Sequence, residues 1–217
     1  MKKFSLALLL CSLPSMASSF SFTGNFNQDD NLATFVFQLG STSNVTLLTY
    51  GYAGGVNFAG TTVSNGGFDP ILSIFSGIGP SAVLIGTNND GGCSLVGQDS
   101  ATSACWDSYL SLLSLPAGAY TVVLSQSDNS PGTTLGDPFS RAGQGNFTGP
   151  AFLGSAGSFI DANPSQRTAA WAVDINGVTS AIEESAVPEP ATLVLSGCAL
   201  GALALARRAK STRRSRQ

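Results

Sequence analysis

Large apolar side chains recur at every second position through most of this chain, and that spacing leaves β-structure as the way to bury them. Phe35, Phe37 and Leu39 share one face of an extended segment, as do Trp171, Val173 and Ile175, with Ala172 and Asp174 on the opposite face. A strand turns successive side chains to opposite faces, so a period of two marks a half-buried strand. Phe20, Phe22 and Phe26 read the same way, and further strands are expected at 45–52, 71–75, 83–87, 109–115, 120–125 and 168–175. Between them lie clusters of Gly, Asn, Asp and Pro, the residues that make turns, and no long amphipathic helical pattern intervenes. A sheet with one apolar face must cover it with another layer. The expected fold is therefore all-β, two antiparallel sheets packed as a jelly-roll-like β-sandwich, with Trp171 in its core. The segment 129–164, rich in Gly, Phe and Asn, is expected to form long surface loops.

The two ends have a different texture. Met1-Lys2-Lys3 is followed by an apolar run over 4–13 and then by Pro14-Ser15-Met16-Ala17-Ser18-Ser19. Positive, apolar and small-residue zones in that order predict an export signal over 1–19, cut after Ala17 or Ser19; a buried N-terminal helix is the alternative. Cys11 follows Leu8, Leu9 and Leu10, whereas a lipidated cysteine needs small residues before it, so no N-terminal lipid is expected. At the other end, Val187-Pro188-Glu189-Pro190 precedes an apolar stretch over 191–206. The chain closes on Arg207, Arg208, Lys210, Arg213, Arg214 and Arg216. As a helix, 191–206 would rise about 24 Å, slightly short of a hydrocarbon core of about 30 Å, so a single C-terminal transmembrane helix is expected to have little tilt and flanks that snorkel or thin the bilayer. The basic cluster should stay cytoplasmic, which leaves 20–186 as one extracytoplasmic domain.

Charge narrows the partners. Between residues 20 and 187 there are twelve acidic residues against two basic ones, Arg141 and Arg167, a net of −10 that the whole-chain value of −3 conceals. Nucleic acid and anionic lipid surfaces take most of their affinity from basic groups, so this domain should bind neither. With Cys11 and Cys198 in the end segments, Cys93 and Cys105 remain, and in an oxidising compartment they are expected to pair. Two free thiols or a two-thiolate metal site are the alternatives. The chain has no histidine, which removes a Cys/His zinc site.

A Pro188-Glu189-Pro190 tripeptide, a short Ala/Leu/Gly-rich span and a terminal arginine cluster together resemble the PEP-CTERM sorting signal of Gram-negative bacteria that make extracellular polysaccharide. The resemblance implies recognition and cleavage at 187–190 by an exosortase-type membrane protease. The protein would then be held transiently at the inner membrane before release to the envelope, the outer surface or beyond. A permanent tail anchor is the alternative. A second resemblance runs through Asp29-Asp30-Asn31-Leu32-Ala33-Thr34-Phe35, Gly67-Phe68-Asp69-Pro70-Ile71-Leu72, Asn88-Asn89-Asp90-Gly91 and Leu115-Pro116-Ala117-Gly118-Ala119-Tyr120. This order is similar to the pre-peptidase C-terminal β-sandwich domains and to the DVUA-type exported proteins with PEP-CTERM tails.

Asp29, Asp30, Asp69, Asn89, Asp90, Asp99 and Asp107 are oxygen ligands in expected turns, the type and place that suit calcium. The resemblance implies calcium as well, and Asp29, Asp69 and Asp90 are the first candidates. The competing reading is that these side chains cap their own turns. Nucleophilic catalysis lacks its parts: no histidine, no lysine in the domain and no phosphate-cradling loop. A pair of carboxylates would be enough for a glycosidase, so a secreted hydrolase is kept as the alternative. Trp106, Tyr109, Tyr50 and Tyr52 are candidates for stacking on sugar rings. The reading is a non-catalytic surface or matrix protein associated with polysaccharide.

Overall fold

The computed structural model describes residues 18–184. Apart from Ser18 and Ser19, the expected export signal lies outside the described residues, and so do Ser185 and Ala186 and the whole 187–217 tail with its expected transmembrane helix. The strands are β1 (Ser18–Asn25), β2 (Ala33–Leu39), β3 (Ser43–Thr49), β4 (Gly55–Val56), β5 (Thr62–Val63), β6 (Pro70–Ser76), β7 (Val83–Asn88), β8 (Tyr109–Leu115), β9 (Gly118–Gln126), β10 (Ala170–Val178) and β11 (Ser180–Glu184). A π turn, Gly149–Leu153, interrupts the last long connection.

The protein is all-β. One sheet has the order β1-β10-β3-β8 and the other β11-β2-β9-β6-β7, with β4 and β5 forming a small hairpin apart. The chain crosses from one sheet to the other at nearly every connection, so the two layers are stitched together like a sandwich. Phe35, Phe37, Leu72, Ile74, Val122 and Leu124 of the second sheet meet Val45, Leu47, Trp171, Val173 and Ile175 of the first in a single core. Each fully buried side chain of this kind contributes about 1.5–3 kcal/mol relative to exposure. Trp171 meets Phe35 edge-on, with ring centroids 5.7 Å apart. Its opposite neighbour in the register is Gly24, where an added Cβ would lie 2.3 Å from the indole. A glycine there lets the ring lie flat across the adjacent strand.

The period-two reading therefore holds for the sheets, and Trp171 is in the core as expected. Three elements were not foreseen. The short strands β4 and β5 lack apolar alternation, and β11, Ser180–Glu184, carries two glutamates in five residues and is mostly exposed on an edge. The segment 129–164 is more than surface loop. Phe139 covers Phe75, Ala82 and Val123 in a second cluster on the outer face of the larger sheet, and Phe159 stacks on Phe68 with centroids 5.8 Å apart. β6 and β9 are consequently buried on both faces.

Candidate functional site

The registers place the long connections at one end of the sandwich. Asn25 lies opposite Ala170, Thr49 opposite Val173, and Gln126 opposite Pro70, so the segments 26–32, 50–69, 89–108 and 127–169 all emerge there. These segments carry Asp29, Asp30, Asp69, Asp90, Asp99, Asp107, Asp128 and Asp161. The acidic character of the domain is thus concentrated at one pole.

Most of these carboxylates are occupied by the protein itself. Asp29, fully buried, accepts from the Thr148 amide at 2.8 Å, the Thr148 hydroxyl at 2.5 Å and the Phe159 amide at 2.6 Å. It fastens the 146–160 segment to the first turn. Asp107 accepts from the Thr49 hydroxyl and from the amides of Tyr52 and Ala53. Asp161 accepts from the Tyr52 hydroxyl and from the amides of Asn163 and Ser165. Asp99 accepts from the Thr102 amide and hydroxyl and from the Arg167 guanidinium at 3.2 Å. Burial pushes the Asp99 carboxyl up, but Arg167 and Thr102 outweigh burial and hold it at about 2.

Arg167 ties the pole together. Buried itself, it donates to the carbonyls of Gly67 at 3.0 Å and Tyr52 at 2.8 Å, and its guanidinium lies 3.9 Å from the Tyr52 ring centroid. Three connections are thereby held by one side chain. Nothing in the apolar pattern points to Arg167, but a basic residue in so acidic a domain was a signal for a buried ion pair. Tyr52 is fully buried beneath it and is removed from the sugar-stacking candidates, whereas Trp106, Tyr109 and Tyr50 stay half-buried.

Asp69 and Asp90 differ from the rest. Asp69 is 4 % exposed, and its Oδ1 has no hydrogen-bond partner. Burial drives its carboxyl well above the usual range, the charge of Asp90 adds to the effect, and Ser127 opposes it. Asp90 is also raised, by partial burial against an opposing bond from Asn89. A buried acceptor without a partner costs free energy until a donor or a cation meets it. Among the described residues no three acidic or thiol side chains converge, and Asp29, expected as a calcium ligand, accepts instead from Thr148 and Phe159. Asp69 and Asp90 remain close enough to repel each other. Beside them Ile71, Asn89, Ser127, Asp128, Ser130 and Phe152 line a cleft of about 380 Å³.

No family model matches this sequence, and no curated protein matches it. The site must therefore be read from its own chemistry.

Cys93 and Cys105 are bonded to each other, Cα atoms 5.1 Å apart, closing the loop that carries Asp99. Replacing both with serine should lower the unfolding free energy by about 3 kcal/mol, the value for a loop of this size. Denaturant titration of the oxidised protein and of the double variant measures it. A difference below about 1 kcal/mol would mean that the Asp99–Arg167 contacts restrain the loop without the bond.

Proposed function

We propose that this protein is a non-catalytic exported module of the cell surface or extracellular matrix, associated with polysaccharide, sorted through its C-terminus and stabilised by calcium held between Asp69 and Asp90. The observation that carries the ion is the unpartnered, buried Asp69 Oδ1 beside a second carboxylate. Asp69 and Asp90 would hold it, with the Asn89 and Ser127 side-chain oxygens as neutral ligands. A calcium–oxygen distance of about 2.3–2.6 Å lets a bare ion reach an oxygen that a water-sized probe does not. With two carboxylates, the affinity belongs with extracellular modules, on the order of 10⁻⁴–10⁻³ M.

We read the crossing pattern, with β1-β10-β3-β8 facing β2-β9-β6-β7, as a jelly roll. The same two carboxylates are what a glycosidase reading would invoke, one acid raised beside another. Against it, Asp69 Oδ1 is sealed from the cleft, so a glycosidic oxygen has no path to it.

The sorting part rests on the sequence 187–217, which resembles a PEP-CTERM signal. A permanent anchor needs only the apolar run and the arginines, so Pro188-Glu189-Pro190 is the discriminating element. In a host with an exosortase, the wild-type chain should lose everything beyond the motif and leave the inner membrane. A variant with Pro188, Glu189 and Pro190 replaced by alanine should accumulate there with its tail attached. Intact mass of both fractions is the measurement. Equal processing of the two chains would replace the sorting reading with a tail anchor. The same spectra give the mature N-terminus. Ser18 and Ser19 are the first residues of β1, and the Ser19 hydroxyl donates to Asn176 Oδ1 at 2.7 Å, so cleavage after Ala17 is expected and leaves the strand whole.

A further inference from the structure

We infer that this domain pairs with a second copy of itself through the free edge of β8. The two β8 strands lie antiparallel about a two-fold axis, so that the sheet β1-β10-β3-β8 continues into the same sheet of the other copy. The pairing requires neither the ion nor the tail.

β1 and β8 bound one sheet, and β11 and β7 the other. An edge strand presents peptide groups with no ladder partner, and proteins blunt such edges with cover, charge or bulges. β7 is covered. The Leu84 amide donates to the Thr133 carbonyl at 2.9 Å, the Leu135 amide to the Ala82 carbonyl at 2.9 Å, and the Ser108 hydroxyl to the Asn88 carbonyl at 2.8 Å. Asp137, at the end of that cover, is taken up by the Thr133 hydroxyl and the Thr134 amide. β11 carries Glu183 and Glu184, and β1 lies on its side of the sandwich, since β8 adjoins β7 on the other.

β8 is left with neither cover nor charge. The Thr49 amide donates to the Ser108 carbonyl, and the register sets Leu47 opposite Leu110 and Val45 opposite Leu112. Alternate residues of an antiparallel strand turn their N–H and C=O to opposite sides, so Ser108, Leu110 and Leu112 face β3 while Ser111 and Leu113 face outward. On that outward side the Tyr109 amide is satisfied by Asn88 Oδ1 at 2.9 Å. Among the described residues the peptide groups of Ser111 and Leu113 have no such partner. Two-fold pairing about Leu112 sets Ser111 of each copy opposite Leu113 of the other, and each such pair exchanges both of its N–H···O=C bonds.

Side chains and charge select a second copy as the partner. Leu113 is 75 % exposed, the most open of the large apolar side chains among the described residues, and Ile85 of the adjoining β7 is exposed on the same flank. Neither 70–89 nor 108–127, the segments that hold β6 to β9, contains a charged residue. A domain of net −10 repels its own kind, so two copies approach at least cost along this neutral flank, whereas a basic partner would be drawn to the acidic pole instead. The contact is short, because Ser114 at φ 54° turns the strand out of line, and the dimer is therefore weak.

Sedimentation velocity of the exported protein over a concentration series, at low and high sodium chloride, tests this together with hydrogen exchange of the 109–115 peptide. The expected result is a monomer–dimer equilibrium that tightens with salt, since screening relieves like-charge repulsion. The amides of Ser111 and Leu113 should exchange more slowly as the dimer fills. Leu113→Glu should raise the dimer dissociation constant about tenfold or more without lowering the melting temperature of the monomer. Ser111→Pro removes an outward amide and should weaken the dimer likewise. Ile182→Glu, at an exposed apolar site on β11, is the control and should leave the equilibrium close to wild type. A monomer at every concentration and salt overturns the inference, as does a dimer that salt weakens or that shows no protection at 111 and 113. Equal losses from Leu113→Glu and Ile182→Glu would mean net charge alone and overturn it too. Growth beyond a dimer would show β8 meeting a different surface, such as β1, and would overturn the two-fold pairing.

Discussion

Asp69→Asn is expected to stabilise the protein in chelator and destabilise it, relative to wild type, in calcium. In the ion-free protein the Asp69 carboxylate is buried, lacks a donor at Oδ1 and faces the charge of Asp90, so its carboxyl is raised well above the ordinary value. The sign follows from linkage. A carboxyl whose folded value is raised has its charged form disfavoured by folding; the penalty is absent below the unfolded value of about 4 and grows as pH rises above it. At neutral pH, above the unfolded value, the wild-type apo protein carries a penalty that asparagine removes. With an unpaired buried charge costing several kcal/mol, the variant should melt roughly 5–10 °C higher in chelator. Calcium reverses the order, because a ligand bound only by the folded state adds RT ln(1 + [L]/Kd), about 2.7 kcal/mol at a hundredfold excess over Kd, and the variant has lost a charged ligand. Magnesium at equal concentration separates a coordinated ion from diffuse screening of the −10 charge. Differential scanning calorimetry at pH 5 and pH 7.5 in the three conditions measures all of this. The idea is sunk if Asp69→Asn melts lower than wild type in chelator, or if it keeps the calcium increment.

Arg167→Met should be the most damaging single substitution in the domain. It leaves Asp99 and Asp161 buried without their cation and strips donors from the carbonyls of Gly67 and Tyr52. Removing one partner of a buried pair costs about 3–5 kcal/mol, which for a domain of this size lowers the melting temperature by about 6–20 °C. Arg167→Lys should recover little. An ammonium cannot span two carbonyls and a carboxylate, nor lie flat on the Tyr52 ring as the guanidinium does at 3.9 Å. Acid titration adds a signature. Asp99, held at about 2 in the folded protein, contributes stability that is present above the unfolded value and is lost as pH falls from about 4 toward 2. That acid-labile component should be missing from Arg167→Met. Asp99→Asn, milder in itself, should make the loss from Arg167→Met smaller in the double variant than in the single one. A lysine variant within 1 kcal/mol of wild type would show that the guanidinium does not organise the pole.

Local spacing carried much of the architecture. Phe35, Phe37 and Leu39, and Trp171, Val173 and Ile175, could only be buried by strands, because a period of two has no helical solution, and turn residues between such runs set most strand boundaries. The pairing of Cys93 with Cys105 was likewise legible, since setting aside the end segments leaves no other partner. Where alternation is absent the sequence was silent: β11 is short, acidic and held by its neighbour, and Phe139 reveals its cover over Val123 only once the chain has doubled back. The aspartates show the sharpest division. Their type and turn positions were plain in the sequence, but whether a carboxylate is satisfied depends on donors far away in the chain. Asp29 meets Thr148 and Phe159, more than a hundred residues on, and Asp99 meets Arg167, whereas Asp69 Oδ1 meets none. Hydrogen bonding is directional and short-ranged, so the folded positions alone decided which buried acids are satisfied by the protein and which, Asp69 and Asp174 among the described residues, keep an unpartnered oxygen.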